Sequence, residues 1–131
     1  MGVPPDFDGN RPSGNNLIDL FAYLIRKYGR MDTSEYARIM QLKTSELRGA
    51  ILAIGGMSAM EWRNRYLLLE AQELMERTDM SITEIAAKLG FSQPSVFSKF
   101  FRTLTKSQPW EWRIEKKKPG SNRKRTYHCY E

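Results

Sequence analysis

Cysteine and histidine are almost missing from this chain: 131 residues hold one of each, His128 and Cys129, side by side near the C-terminus. A disulfide framework needs paired cysteines and a structural zinc needs four ligands, so both are excluded. One histidine at the end of the chain also leaves no nucleophile–His–acid arrangement inside a core. An enzyme is therefore not expected, and no metal and no cofactor. No apolar run approaches the roughly 20 residues that span a bilayer. Residues 1–16 lack the apolar stretch of a secretory signal. These absences leave a small globular protein of the cytoplasm, without membrane association.

What is present is a basic chain able to fold. Hydrophobic residues make up 40% and aromatics 11%, enough for one ordinary domain or two small ones. Lys and Arg number 21 against 15 Asp and Glu, a net charge of +6. The positive charge gathers towards the C-terminus, where Lys116, Lys117, Lys118, Arg123, Lys124 and Arg125 flank a Pro-Gly-Ser-Asn break. Residues 114–131 read as a basic tail, either a solvated run or an arm that gains by releasing counterions from nucleic acid. Residues 1–15, with Pro4, Pro5, Pro12 and Gly2, Gly9, Gly14, read as a disordered leader.

Between these ends the periodicity is helical. Leu17, Leu20, Phe21, Leu24 and Tyr28 form one apolar stripe, predicting a helix from about Asn16 to Tyr28 that stops at Gly29. Asp32 and Glu35 have the spacing of a capping box for a helix ending near Met40. Ser58 and Glu61 form a second box, opening a long helix to about Arg77. Ser81 and Glu84 form a third, for a short helix stopping at Gly90. Ser92 is the expected cap of the next helix, with Pro94 in its first turn and Phe97, Phe101 and Leu104 on one face. Pro109 opens a last short helix through Arg113. No alternating strand pattern flanked by hairpin signals occurs, so the fold class is all-α.

The chain also repeats itself. Asp32-Thr-Ser-Glu35-Tyr-Ala37 parallels Ser81-Ile-Thr-Glu84-Ile-Ala86, and Met60-Glu61-Trp62-Arg63 parallels Trp110-Glu111-Trp112-Arg113. Leu47 matches Phe97 and Ile51 matches Phe101. Each copy is a helix pair ending in an aromatic–Arg anchor, so Trp62 and Trp112 are expected in the core, and Trp110 is not. Within Ile85-Ala-Ala-Lys-Leu-Gly-Phe91, a small Ala permits a close crossing and Gly90 a sharp turn into a second helix. That is the helix-turn-helix pattern, whose second helix enters a DNA major groove. One copy is common in any helical bundle; two copies in a basic chain point to DNA. The resulting layout is a first unit over 16–57, a linker helix over 58–78 and a second unit over 79–113. At 1.5 Å per residue the linker spans about 30 Å, close to the roughly 34 Å of one turn of B-DNA, so both second helices are expected in adjacent major-groove segments. Its Glu70, Glu73, Glu76 and Asp79 are expected on a solvated face.

Ser81-ITEIAAKLGFSQPSVFSKFF-Arg102 with Pro109-WEW-Arg113 resembles the DNA-binding domain of the arabinose-regulator (AraC/XylS) family, and Gly56-MSAMEWRNRYLLLEAQELM resembles its first-unit end and linker helix. The resemblance covers about Leu17 to Arg113. It implies seven helices, two helix-turn-helix units and transcription regulation. The chain departs from the family at Gln41 and Lys106, where glycine is usual, and at Lys43, where a Ser cap is usual.

The groove-facing set expected in the first unit is Lys43, Thr44, Ser45, Glu46 and Arg48, with Gly49 contributing no readout. In the second unit it is Gln93, Ser95, Val96, Ser98, Lys99 and Arg102. Arg48 suits guanine, Gln93 adenine, and Lys99 either guanine or phosphate. Glu46 accepts only from cytosine and otherwise repels phosphate. The partners expected are double-stranded DNA and, as a candidate, RNA polymerase. The chain is expected to act as a monomer associated with the bacterial nucleoid. Two alternatives stand beside this reading: an architectural accessory factor, for instance in recombination, and a protein-interaction module that has lost DNA binding.

Overall fold

The computed structural model describes residues 14–117; residues 1–13 of the expected leader and 118–131 of the expected basic tail, with His128 and Cys129, lie outside the described residues, whereas 14–15 and 114–117 are helical. Seven helices run through the described residues, and no strand occurs among them. They are α1 (Gly14–Tyr28), α2 (Thr33–Ile39), α3 (Thr44–Gly55), α4 (Ala59–Arg77), α5 (Ile82–Lys88), α6 (Pro94–Thr105) and α7 (Pro109–Lys117). The chain divides into two compact units between Tyr66 and Leu67, a boundary inside α4.

In the first unit α1 and α2 both pack on α3. The stripe read from sequence is the buried face: Leu17, Leu20, Phe21 and Leu24 are closed to solvent, as are Ile25, Tyr36, Leu47 and Ile51. Tyr28 is the exception, 39% exposed at the end of α1. Phe21 sets its ring edge-on to Tyr36 at 5.2 Å, and Trp62 stacks on Tyr66 at 5.2 Å. In the second unit α5 and α7 pack on α6. Phe97 and Phe101 are fully buried, and Phe101 meets Trp112 edge-on at 5.9 Å. Trp112 is thus a core residue, and Trp110 is 57% exposed.

Two of the three boxes close as drawn. Ser58 Oγ accepts from Glu61 N–H at 3.1 Å and Ser81 Oγ from Glu84 N–H at 3.0 Å, and each Glu accepts from its cap's N–H in return. The Asp32 box does not close. Asp32 makes no side-chain cap bond, and Glu35 pairs with Arg38 one turn on, on the exposed side of the same helix. Nor is Ser92 the cap of α6. Gln93 holds that place in an extended conformation, because Pro94 occupies the first helical position and fixes the cap one residue before it.

The last helix runs past Arg113 to Lys117. Lys116 explains the extra turn: its ammonium lies 3.8 Å from the Glu76 carboxylate and over the Trp112 ring, with only 8% of its side chain exposed. At the other end, α1 begins at Gly14, two residues ahead of Asn16.

Candidate nucleic-acid interface

The turn between the paired short helices is built identically twice. In the first unit Gln41 N–H donates to the Arg38 carbonyl at 3.1 Å and Leu42 N–H to the Ala37 carbonyl at 2.9 Å. In the second, Gly90 N–H donates to Ala87 at 3.1 Å and Phe91 N–H to Ala86 at 3.0 Å. Both turns need a left-handed residue, with φ +61° at Gln41 and +87° at Gly90. Glycine adopts this without penalty, whereas Gln carries a Cβ that crowds the following carbonyl.

These turns deliver α3 and α6 with one face buried and one open. On α3, Leu47 and Ile51 face the core, and Ser45, Glu46, Arg48 and Gly49 are exposed. Thr44 is half-buried in the first turn. Lys43 is the cap residue, but its ammonium is a donor and cannot accept from the helix N-terminus. Glu46 makes the reciprocal half alone, its Oε1 accepting from Lys43 N–H at 2.8 Å. That bond draws the carboxylate back onto the helix start, where it complements the positive end of the dipole.

On α6, Phe97, Phe101 and Thr105 are buried. Gln93, Ser95, Val96, Lys99 and Arg102 form the exposed face, with Ser98 half-buried beside them. Ser95 Oγ donates to Gln93 Oε1 at 3.4 Å, holding the two polar side chains together at the start of the helix. Thr103 is exposed as well, one turn beyond Lys99. It is absent from the set read from sequence, although the i,i+4 spacing points to it.

The two faces differ most in their second halves. At an offset of 50 residues, Lys99 and Arg102 of α6 correspond to Gly49 and Leu52 of α3. Leu52 is 57% exposed, so an apolar side chain stands where the second unit has a guanidinium. The α6 face can bond phosphates and base edges. The α3 face offers Arg48 and two small hydroxyls, with Lys43 exposed at the cap, beside a carboxylate already engaged.

The anchors that end each unit hold backbone carbonyls. Arg63 is buried and donates through Nη1 to the Met31 carbonyl at 2.8 Å. Burial and then the neighbouring Arg30 cation lower its pKa from the usual guanidinium value. Tyr36, in the same corner, donates its hydroxyl to the Gly29 carbonyl and accepts from Met31 N–H at 3.1 Å. Burial pushes the Tyr36 pKa up to about 12.

Comparison with known proteins gives this geometry a family. The Helix-turn-helix domain family model matches residues 36–114. Regulatory protein PocR of Salmonella typhimurium is 41% identical over 58 residues, 44% of this chain and 19% of that protein, so the match spans about a fifth of its length. The C-terminal domain of AraT, a response regulator from Geobacillus stearothermophilus, superposes with a TM-score of 0.71 at 20% identity, covering 91% of this chain and 99% of that one. The DNA-binding domain of AdpA, a global transcriptional factor solved with a target DNA, gives 0.67 at 20% identity, covering 79% and 91%. An AraC-type regulator from Chromobacterium violaceum gives 0.66 at 23% identity, covering 81% and 93%. On the family match, which takes in more than half of the residues, the chain belongs to the AraC-type helix-turn-helix family of DNA-binding transcription regulators.

Proposed function

We propose that this DNA-binding transcription regulator reads sequence mainly through α6, with α3 as the weaker reader. The observation that carries this is the contrast between the two exposed faces. Gln93, Ser95, Val96, Lys99 and Arg102 stand open on α6, whereas Glu46 is folded onto the start of α3 and Leu52 replaces the second cation. In this reading Gln93 pairs with adenine and Lys99 with guanine or phosphate, while Arg102 contacts the backbone. The chain acts as a monomer on double-stranded DNA and transmits its effect through RNA polymerase.

A second reading, an architectural factor, is favoured by the thin base-reading set of α3, where Gly49 offers no side chain and Glu46 is engaged. Selection of bound sequences from random duplexes, followed by binding to the selected site and to scrambled duplex at one salt concentration, separates the two. A regulator gives a specificity ratio of about 10³ or more. An architectural factor gives a ratio near one and no consensus site.

A further inference from the structure

Lys106 ends α6 in the left-handed region, at φ +68°, with its N–H donating to the Arg102 carbonyl at 2.8 Å. Its counterpart in the first unit is Gly56, which ends α3 at φ +74° with its N–H donating to Leu52 at 3.0 Å. The same stop is thus made twice in one chain, once by the residue suited to it and once by a lysine. A Cβ added at Gly56 would meet nothing within 4 Å, so open space alone does not explain the glycine there. The backbone conformation does, because L side chains are strained in it. Helix ending therefore does not call for a lysine. The strain at Lys106 is kept for what the side chain does.

Its neighbours indicate what that is. Lys99, Arg102 and Lys106 are spaced three and four residues apart and all three are exposed, so they share one side of the helix, away from buried Phe97 and Phe101. The corresponding positions of the first unit are Gly49, Leu52 and Gly56, with no charge at any of them. One unit carries a three-cation stripe and the other carries none, although both are built on the same helix pair. Three cations in a row on the reading helix fit a run of phosphates, each contact releasing condensed counterions. We infer that Lys106 is a DNA-phosphate contact that completes a stripe with Lys99 and Arg102, held there at the expense of backbone strain. The inference rests on the reading of α6 as the main DNA-binding helix.

It makes an unusual demand: one substitution should move stability and binding in opposite directions. In the full chain, Lys106→Gly relieves the strain and removes the charge. The expected result is a higher melting temperature together with a log–log salt slope shallower by about 0.9, the value of one phosphate contact. Over the decade from 1 M to 0.1 M salt, that slope difference amounts to about eight-fold weaker binding. The loss should be equal on the selected site and on scrambled duplex, because phosphates carry no sequence. Lys106→Asn, uncharged but tolerant of the left-handed region, should show the same slope change. An unchanged slope in both variants overturns the contact, and so does a fall in melting temperature for Lys106→Gly without a change in slope, which would make the lysine a helix-end stabiliser. A wild-type chain that binds neither duplex overturns the DNA role of α6 and this contact with it, whereas wild-type binding with variants that match it overturns the contact alone.

Discussion

Arg113 closes the end of α4 by donating through Nη2 to the carbonyl of Thr78 at 2.8 Å. Its Nε donates to the Met75 carbonyl at 3.0 Å, so one planar fork satisfies two carbonyls of the last turn. Hydrogen bonds from a charged donor contribute about 1.5–3 kcal/mol each. An ammonium cannot reproduce two donors at fixed divergence. Arg113→Lys should therefore lower the stability of the second unit by about 1–2 kcal/mol, and Arg113→Met by more. Urea titration followed by far-UV dichroism measures both. A lysine variant as stable as the wild type would show that the two bonds add nothing beyond charge at the helix end.

The left-handed turns make a paired prediction. Gly90, at φ +87°, is required by the turn from α5 into α6. Gly90→Val places a β-branched side chain in that region and should cost at least about 1–2 kcal/mol. Gly90→Asn should be milder, since Asn tolerates the conformation. At the equivalent Gln41 the effect reverses: Gln41→Gly should gain about 1 kcal/mol, the strain relieved less the extra chain entropy of glycine. Thermal melting of the three variants is the check. A Gln41→Gly variant that melts below the wild type would mean that the Gln41 side chain contributes more than the strain costs.

Gln72 is fully buried on α4, and neither its Oε1 nor its Nε2 has a hydrogen-bond partner among the described residues. A buried amide without partners costs about 1–3 kcal/mol. Gln72→Leu keeps much of the volume and removes both polar atoms, so it should raise the melting temperature. Gln72→Ala should lower it by leaving a cavity. Destabilisation by Leu equal to that by Ala would show that the amide is satisfied through a buried water.

The Tyr36 corner predicts a loss of stability at alkaline pH. Its pKa rises from 10 when unfolded to about 12 when folded, through burial of the neutral hydroxyl. A raised folded pKa means that this stabilisation is complete below pH 10 and is lost as pH rises from 10 to 12. Two units correspond to about 2–3 kcal/mol at the upper limit. Tyr36→Phe removes the titrating group along with its bonds to Gly29 and Met31. It should be less stable at pH 8, and its disadvantage should shrink by pH 12. Parallel denaturation curves across that range test this, and a constant difference between the two proteins contradicts it.

Much of the fold is legible in sequence because its signals are local. Ser58–Glu61 and Ser81–Glu84 need only four residues to form, and each closes as drawn. Asp32–Glu35 has the same spacing, yet Arg38 offers Glu35 a closer partner, and spacing cannot show which bond wins. The length of α7 is not legible at all, since Lys116 is held by Glu76, forty residues earlier in the chain. The left-handed Gln41 and Lys106 are visible through the repeat, which aligns them with Gly90 and Gly56. The groove-facing positions follow from helical periodicity, but the engagement of Glu46 with Lys43 depends on cap geometry and emerges only in three dimensions.

Division of labour between the units follows from these particulars. Arg48 is the one exposed Arg within α3, and its neighbour Glu46 is committed to the helix start. Lys99 sits midway along α6, between Gln93 and Arg102 on an exposed face with no carboxylate. If both helices read bases, Arg48→Ala should cost about 1–3 kcal/mol at the selected site and relax preference at one base step. Lys99→Ala should cost more, because it removes both a base or phosphate contact and the first cation of the charged stripe. Each variant is to be titrated against the selected site and scrambled duplex at fixed salt, so that specificity is separated from general affinity. Neither residue is buried or bonded within the core, so both variants should melt with the wild type, and a change in binding reports contact rather than folding. A larger loss of specificity from Arg48→Ala reverses the ranking and makes α3 the principal reader, despite its irregular cap and its strained turn.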